Sequence, residues 1–224
     1  MEKWIVTSQS LECAEPSARD EGLVMVVDDD AVLRDALGNL FRSVDMNVAL
    51  FGSAAELLAY QLPDVPCCLV LDVRLRGPSG LDLQARLGHL GIHVPIIFMT
   101  GHGDIAMTVA AMKAGAEDFM VKPLRDQDLL DAVSVALEKD RRRREGMRQV
   151  QKLRASFQTL TPRESAVMAL AVSGLMNKQI AAEMGISEVT VKIHRGQAMR
   201  KMKARTFADL VLMCQQLGVC HARI

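Results

Sequence analysis

Between residues 22 and 125, short apolar runs alternate with stretches of helical periodicity, and this alternation constrains the fold more than any other feature of the chain. Leu23–Val27, Asn47–Phe51, Cys67–Leu71, Pro95–Met99 and Ala116–Val121 read as strands. Between the first two, from Ala31 to Val44, apolar residues recur at three- and four-residue spacing (Val32, Leu33, Leu37, Leu40, Phe41). Ser53 is placed to cap a helix reaching Tyr60, and Leu81–Leu90 and Asp104–Lys113 read as two more helices. Short apolar runs without alternation suit strands covered on both faces, and helical crossovers join parallel strands. The expectation is a doubly wound α/β domain with five parallel strands and helices on both faces.

The rest of the chain carries only the helical period. Residues 126–156 hold no proline and a single glycine, Gly146, so one long linker helix is expected there. Leu130, Val133, Leu137, Met147, Val150 and Leu153 would form a seam able to pair with a second chain, interrupted by Arg141–Arg144. Thr161, Pro162 and Glu164 have the spacing of a capping box with proline at the first helical position. Gly174 ends that helix, Asn177 is read as the cap of a short helix ending at Met184-Gly185, and Ser187 caps Glu188–Lys203. Phe207–Leu217 completes the set. Helix, short glycine turn, helix is the helix-turn-helix arrangement. The expected organisation is a flexible tail (1–21), an α/β domain (22–125), a linker helix (126–156) and an all-α helix-turn-helix domain (157–224).

Charge separates the same parts. Lys+Arg and Asp+Glu both total 27, yet residues 22–125 carry 8 basic and 12 acidic side chains while 157–224 carry 9 and 4. A basic rear domain points to nucleic acid. The five cysteines fit no zinc spacing and read as thiols of a reduced cytoplasmic protein. No apolar run approaches the roughly 18 residues of a membrane span, and residues 1–22 have no apolar signal core, so no membrane partner is expected.

In open α/β sheets, function gathers at the carboxyl ends of the strands. There the sequence has Asp28, Asp29 and Asp30 after the first strand, Asp72 after the third, Thr100 after the fourth, and Lys122-Pro123 after the fifth. Converging carboxylates repel and need a cation, and hard oxygen ligands suit Mg²⁺. A carboxylate beside such an ion can act as a nucleophile of the acyl-phosphate type, with Lys and a hydroxyl binding phosphoryl oxygens.

The segments VVDDD, LVLDVRLRGPSG, IIFMTGHGD and AGAEDFMVKPL resemble the receiver domain of bacterial two-component response regulators over residues 22–125. The resemblance implies that Asp72 is the phosphoacceptor. Asp28, Asp29, Asp72 and the backbone carbonyl of Arg74 would hold Mg²⁺. Thr100 would be the switch hydroxyl, Lys122 the phosphate-binding lysine and Phe119 the switch aromatic, with a cis peptide before Pro123. The family usually has Asp-x-x-Met-Pro after the acceptor; this chain has Asp72-Val73-Arg74-Leu75-Arg76, with the proline displaced to Pro78. Loop geometry and kinase docking beside Asp72 therefore stay open.

At 100° per residue, Val191, Ala198 and Met202 fall on one side of Glu188–Lys203. Val189, Ile193, Gly196 and Arg200 fall on the other, flanked by Lys192 and Lys203. Aliphatic and basic side chains on one exposed face suit a helix in a major groove. The run LTPRESAVMALAVSGLMNKQIAAEMGISEVTVKIHRGQAMRKM resembles the LuxR-type helix-turn-helix of the FixJ/NarL response-regulator family. By that resemblance Glu188–Lys203 is the recognition helix, Lys192 and Ile193 match base-reading positions, and Lys178 and His194 match backbone-contact positions. Val189 and Arg200 complete the expected DNA face.

Together these resemblances imply a non-enzymatic, cytoplasmic transcription regulator, with at most slow self-dephosphorylation. A cognate sensor histidine kinase, promoter DNA, RNA polymerase and a phosphorylation-dependent homodimer are the implied partners. Two other readings stay open at this stage. An aspartyl-phosphate phosphohydrolase typically has a second Asp two residues after its nucleophile, where this chain has Arg74. A phosphorylation-independent regulator would not need the full set of Asp28, Asp29, Asp72, Thr100 and Lys122.

Overall fold

The computed structural model describes residues 22–101 and 105–219. The tail expected at 1–21, Cys13, Cys220 and the helix start read at Asp104 lie outside the described residues. The chain divides into two compact units, residues 1–143 and 144–224.

In the first unit the five strands are β1 (Leu23–Val27), β2 (Asn47–Phe51), β3 (Cys67–Asp72), β4 (Ile96–Thr100) and β5 (Asp118–Val121). All pair in parallel, in the order β2-β1-β3-β4-β5. This is the doubly wound sheet expected from the sequence, with strand ends displaced by one or two residues. Helices α1 (Ala31–Ser43), α2 (Ala54–Ala59), α3 (Gly80–His89) and α4 (Ile105–Lys113) cross between strands. Their starts are chemically marked. The Asp30 carboxylate accepts from the Val32 and Leu33 N–H groups, and Ser53 caps α2 through Glu56 N–H. Ser79 and Asp82 form a capping box on α3.

Side chains alternate between the two sheet faces. Met25, Val27, Leu69, Leu71 and Phe98 meet Leu57 of α2, Leu83 and Leu87 of α3 and Ala111 of α4. Val24, Val26, Cys68, Val70, Ile97 and Met99 meet Leu37 and Phe41 of α1 on the opposite face. That second face is completed by Leu129, Val133, Ala136 and Leu137, from the start of the long helix α5 (Asp126–Gln158). The pairing seam read at Leu130, Val133 and Leu137 is therefore corrected: Val133 and Leu137 are buried in this core and Leu130 packs against it. Each buried aliphatic side chain contributes roughly 1.5–3 kcal/mol. Asp140, fully buried, fixes the helix further by accepting from the Cys67 N–H at 2.9 Å and pairing with Arg143 at 2.7 Å.

The second unit contains α6 (Pro162–Val172), α7 (Asn177–Met184), α8 (Glu188–Met202) and α9 (Phe207–Leu217). Two apolar clusters hold it together. Val167, Ala171, Ile180, Ala181 and Val191 join α6, α7 and α8; Met168, Ala198, Met202, Leu210 and Cys214 join α6, α8 and α9. The Thr161/Glu164 capping box forms as expected. Glu164 is also buried against Lys201, whose Nζ lies 2.6 Å from its carboxylate. Asn177 is not the cap of α7. It is the first helical residue, its side-chain oxygen accepts from Arg195 at 3.3 Å, and Gln179 accepts from the Met176 N–H instead. Gly185, at φ 65°, makes the left-handed turn out of α7 that a side chain would oppose. Lys203 closes α8 as its C-cap at φ 57°. Among the described residues, no helix is long and apolar enough to cross a membrane.

Candidate functional site

The strand order reverses around β1 and β3, and a crevice at such a switch point opens at the carboxyl ends of the strands. Asp28 follows β1 and Asp72 ends β3, so parallel pairing in register carries both carboxylates to that edge. Asp29 joins them: carboxylate oxygens of Asp28, Asp29 and Asp72 lie within 4.8 Å of one another. Asp30, next along the chain, is spent on the N-terminus of α1. Lys122, from the end of β5, reaches between two of the acids, its Nζ 2.8 Å from Asp28 Oδ2 and 2.7 Å from Asp72 Oδ2. The peptide bond between Lys122 and Pro123 is cis. Thr100 ends β4 beside Asp72, fully buried, and its carbonyl accepts from the Lys122 N–H at 2.7 Å. Phe119 is half-buried, its ring centroid 6.3 Å from that of Phe98.

The pocket is electrostatically tight. Burial pushes the Asp28 carboxyl above the ordinary aspartate value, against the opposing pull of Lys122 and the Asp30 N–H. Burial disfavours the charge on Lys122, but hydrogen bonds to Asp28 and Asp72 and their negative charge leave its ammonium above the ordinary lysine value. The Asp72 carboxylate is held at both oxygens: the Arg74 N–H donates to Oδ1 at 3.0 Å, and Lys122 holds Oδ2. Arg74 itself is exposed.

Three supports escaped the sequence reading. Arg34, one turn into α1, donates from Nη1 to the Asp28 carbonyl at 2.7 Å and ties down the loop after β1. Gly80 lies so close to the end of β3 that a Cβ would stand 2.5 Å from the Asp72 carbonyl oxygen. Arg76 pairs its Nε with Asp29 Oδ2 at 2.8 Å. Gly80 had a visible signal, a glycine at a helix start directly after Pro78-Ser79. Arg76 was marked only as standing where the resembling family has proline, and the partners of both arginines were unreadable because they come from spacing that only the folded loops create.

Three carboxylates of hard oxygen suit a small divalent cation. Two oxygens facing each other across an octahedral Mg²⁺ stand about 4 Å apart, which the cluster can meet.

In the helical unit, α8 presents the two faces that its periodicity predicts. Val191, Ala198 and Met202 are buried, whereas Val189 and Ile193 are 65% and 53% exposed. Lys192, Gly196 and Arg200 share that exposed face, and Lys178 is exposed on α7. Nothing lies within 4 Å of where a Gly196 side chain would begin. His194 is half-buried and its Nδ1 is enclosed without a hydrogen-bond partner, so its expected contact role has only partial access. Arg195, not singled out from the sequence, locks the turn: its guanidinium stacks 4.4 Å from the Phe207 ring while bonding Asn177.

A receiver-type α/β unit with an acidic pocket, followed by a helix-turn-helix with an exposed basic and aliphatic face, defines a DNA-binding regulator controlled by signal input. Comparison with known proteins agrees in both halves. Residues 24–134 match the response regulator receiver domain, and residues 158–214 match the bacterial regulatory proteins of the luxR family. The chain is 59% identical over 202 residues to Nodulation protein W of Bradyrhizobium diazoefficiens, covering 90% of this chain and 89% of that one. It is 44% identical over 198 residues to Response regulator protein TmoT of Ectopseudomonas mendocina, covering 88% and 90%. The solved low-resolution structure of response regulator StyR is similar with a TM-score of 0.80 at 45% identity, covering 88% of this chain and 99% of that one. The chain belongs to the two-component response regulators with a LuxR-type helix-turn-helix, and is a transcriptional response regulator.

Proposed function

We propose that Asp72 receives a phosphoryl group from the phosphohistidine of a cognate sensor kinase, and that this modification controls DNA binding by residues 157–224. The observation that carries the reading is Lys122 bridging Asp28 and Asp72 at 2.8 and 2.7 Å, at the carboxyl edge of the sheet. An oxygen of Asp72 attacks phosphorus, the phosphorus–histidine nitrogen bond breaks, and the aspartyl phosphate forms. The Arg74 N–H and Lys122 orient the carboxylate beforehand, which lowers the entropy lost in reaching the transition state. Lys122 then follows the charge onto the phosphoryl oxygens. Asp28, Asp29, Asp72 and the Arg74 carbonyl would hold Mg²⁺, which when bound neutralises charge on the transferring group. Slow hydrolysis of the same bond resets the protein.

The Thr100 hydroxyl, at the end of β4, binds the new phosphate and shifts its loop, and Phe119 moves with it. Phosphorylation thereby populates a conformation that forms a homodimer, and two copies read two half-sites through Val189, Lys192, Ile193 and Arg200, with Lys178 and His194 toward the backbone. Contact with RNA polymerase at the promoter, in the cytoplasm, completes the reading. The test is labelling by acetyl phosphate with Mg²⁺, read by intact mass. Wild type gains one phosphoryl group and Asp72→Asn gains none; equal labelling of the variant would remove Asp72 as the acceptor.

A further inference from the structure

We infer that Arg76 is a built-in competitor for the divalent cation, its guanidinium neutralising Asp29 in the unphosphorylated protein and weakening Mg²⁺ binding at the acidic pocket. The inference rests on the reading of Asp28, Asp29 and Asp72 as metal ligands. Lys122 takes Asp28 and Asp72, which leaves Asp29 as the carboxylate outside its reach. Arg76 takes that one, Nε to Oδ2 at 2.8 Å. The loop that delivers it is anchored on either side of Arg74, since Val73 is 2% and Leu75 9% exposed. The Arg76 side chain is 88% exposed, so it packs against little, and an ion pair this open adds little to folding stability. Its consequence lies in the pocket. Among the three carboxylates and the two cations paired with them, the net charge is −1, and without Arg76 it is −2; Arg34, on the Asp28 carbonyl, is the same in both cases. A unit charge some 5–7 Å from a dication in a water-like medium, screened over about 10 Å at 0.1 M salt, is worth about a three- to sixfold change in affinity. An uncharged proline at this position, as the resembling family usually has, could not exert this effect.

The experiment is calorimetric titration of MgCl₂ into the full-length, unphosphorylated chain. Arg76→Gln is expected to bind about three- to sixfold more tightly than wild type, and Arg76→Lys, which keeps the charge, within about twofold of wild type. Raising KCl from about 0.1 M to 1 M shortens the screening length from about 10 Å to 3 Å and should draw Arg76→Gln and wild type together. Thermal melts without metal check that the exposed substitutions leave the fold intact. Affinity of Arg76→Gln equal to or weaker than wild type overturns the competition while leaving the metal reading in place. Unchanged binding by Asp28→Asn, or no binding by either wild type or Arg76→Gln, overturns the metal reading and the competition together.

Discussion

At the scale of single residues, the pocket separates holding from responding. Asp72 is held at both oxygens by the Arg74 N–H and Lys122, so its geometry is set before any phosphoryl donor arrives. Thr100 is fully buried at the neighbouring strand end. In the proposed mechanism it binds the product and not the incoming group. Thr100→Ala should therefore label with acetyl phosphate at close to the wild-type extent, yet fail to dimerise when phosphorylated. Sedimentation velocity of the labelled variant decides, and a normal phosphorylation-dependent dimer would refute the coupling. Asp28, Asp72, Thr100 and Lys122 were readable because each is the first polar residue after an apolar run. The pairings of Arg76 and Arg34 were not, because their partners are reached across loops whose course no periodicity reports. Asp30 shows the converse: its place in an acidic triplet suggested the pocket, but a carboxylate directly before a helix is drawn to the free N–H groups of the first turn.

At the scale of elements, α5 is where sequence and structure part. An apolar stripe at heptad spacing has the same appearance whether its partner is a second chain or the helix's own sheet. Periodicity gives the stripe and not the partner. Here the sheet lacks cover on one side of α1, and Leu129, Val133, Ala136 and Leu137 fill the space. Val133→Ala should accordingly lower the stability of the α/β unit by about 0.5–2 kcal/mol, as for removal of two buried methyl groups with partial collapse of the gap. Urea unfolding followed at two protein concentrations is the check. A loss of stability that depends on concentration would mean that Val133 faces a second chain after all. The α7 start was misplaced for a related reason. Asn177 has a capping side chain, but Arg195 on the next helix competes for it, and Gln179, three residues after the cap residue Met176, serves the cap position. The five strands, by contrast, were legible because a doubly covered parallel strand has few ways to be written other than as an unbroken apolar run.

At the scale of the whole molecule, one ion-paired side chain in each unit ties stability to a different end of the pH range. Glu164 is held below the ordinary glutamate value by Lys201 and by the Thr161 N–H. Its contribution is present above the unfolded value of about 4.3 and is lost as pH falls through the lowered folded value. Lys122 is held above the ordinary lysine value, despite its burial, by Asp28 and Asp72. Its contribution is present below about 10.4 and is lost as pH rises through the folded value. Thermal melts of wild type, Glu164→Gln and Lys122→Met across the pH scale should show the first variant less sensitive to acid and the second less sensitive to alkali. An acid limb unchanged in Glu164→Gln would show that other carboxylates dominate it.

The order β2-β1-β3-β4-β5 also sets a ranking of amide hydrogen exchange. β3 is buried along all six residues and paired on both sides, so its amides open only when the unit unfolds globally. β5 lies at the sheet edge with no fully buried residue, and its amides exchange through small local openings. Asp72 thus sits on a slow-exchanging central strand, while Phe119 and Lys122 sit on or beside a faster-exchanging edge strand. A deuterium pulse should label β5 long before β3. In the proposed mechanism the phosphoacceptor is thus carried by a fully buried central strand, and the side chains that respond to it by an edge strand that can shift without disturbing the rest.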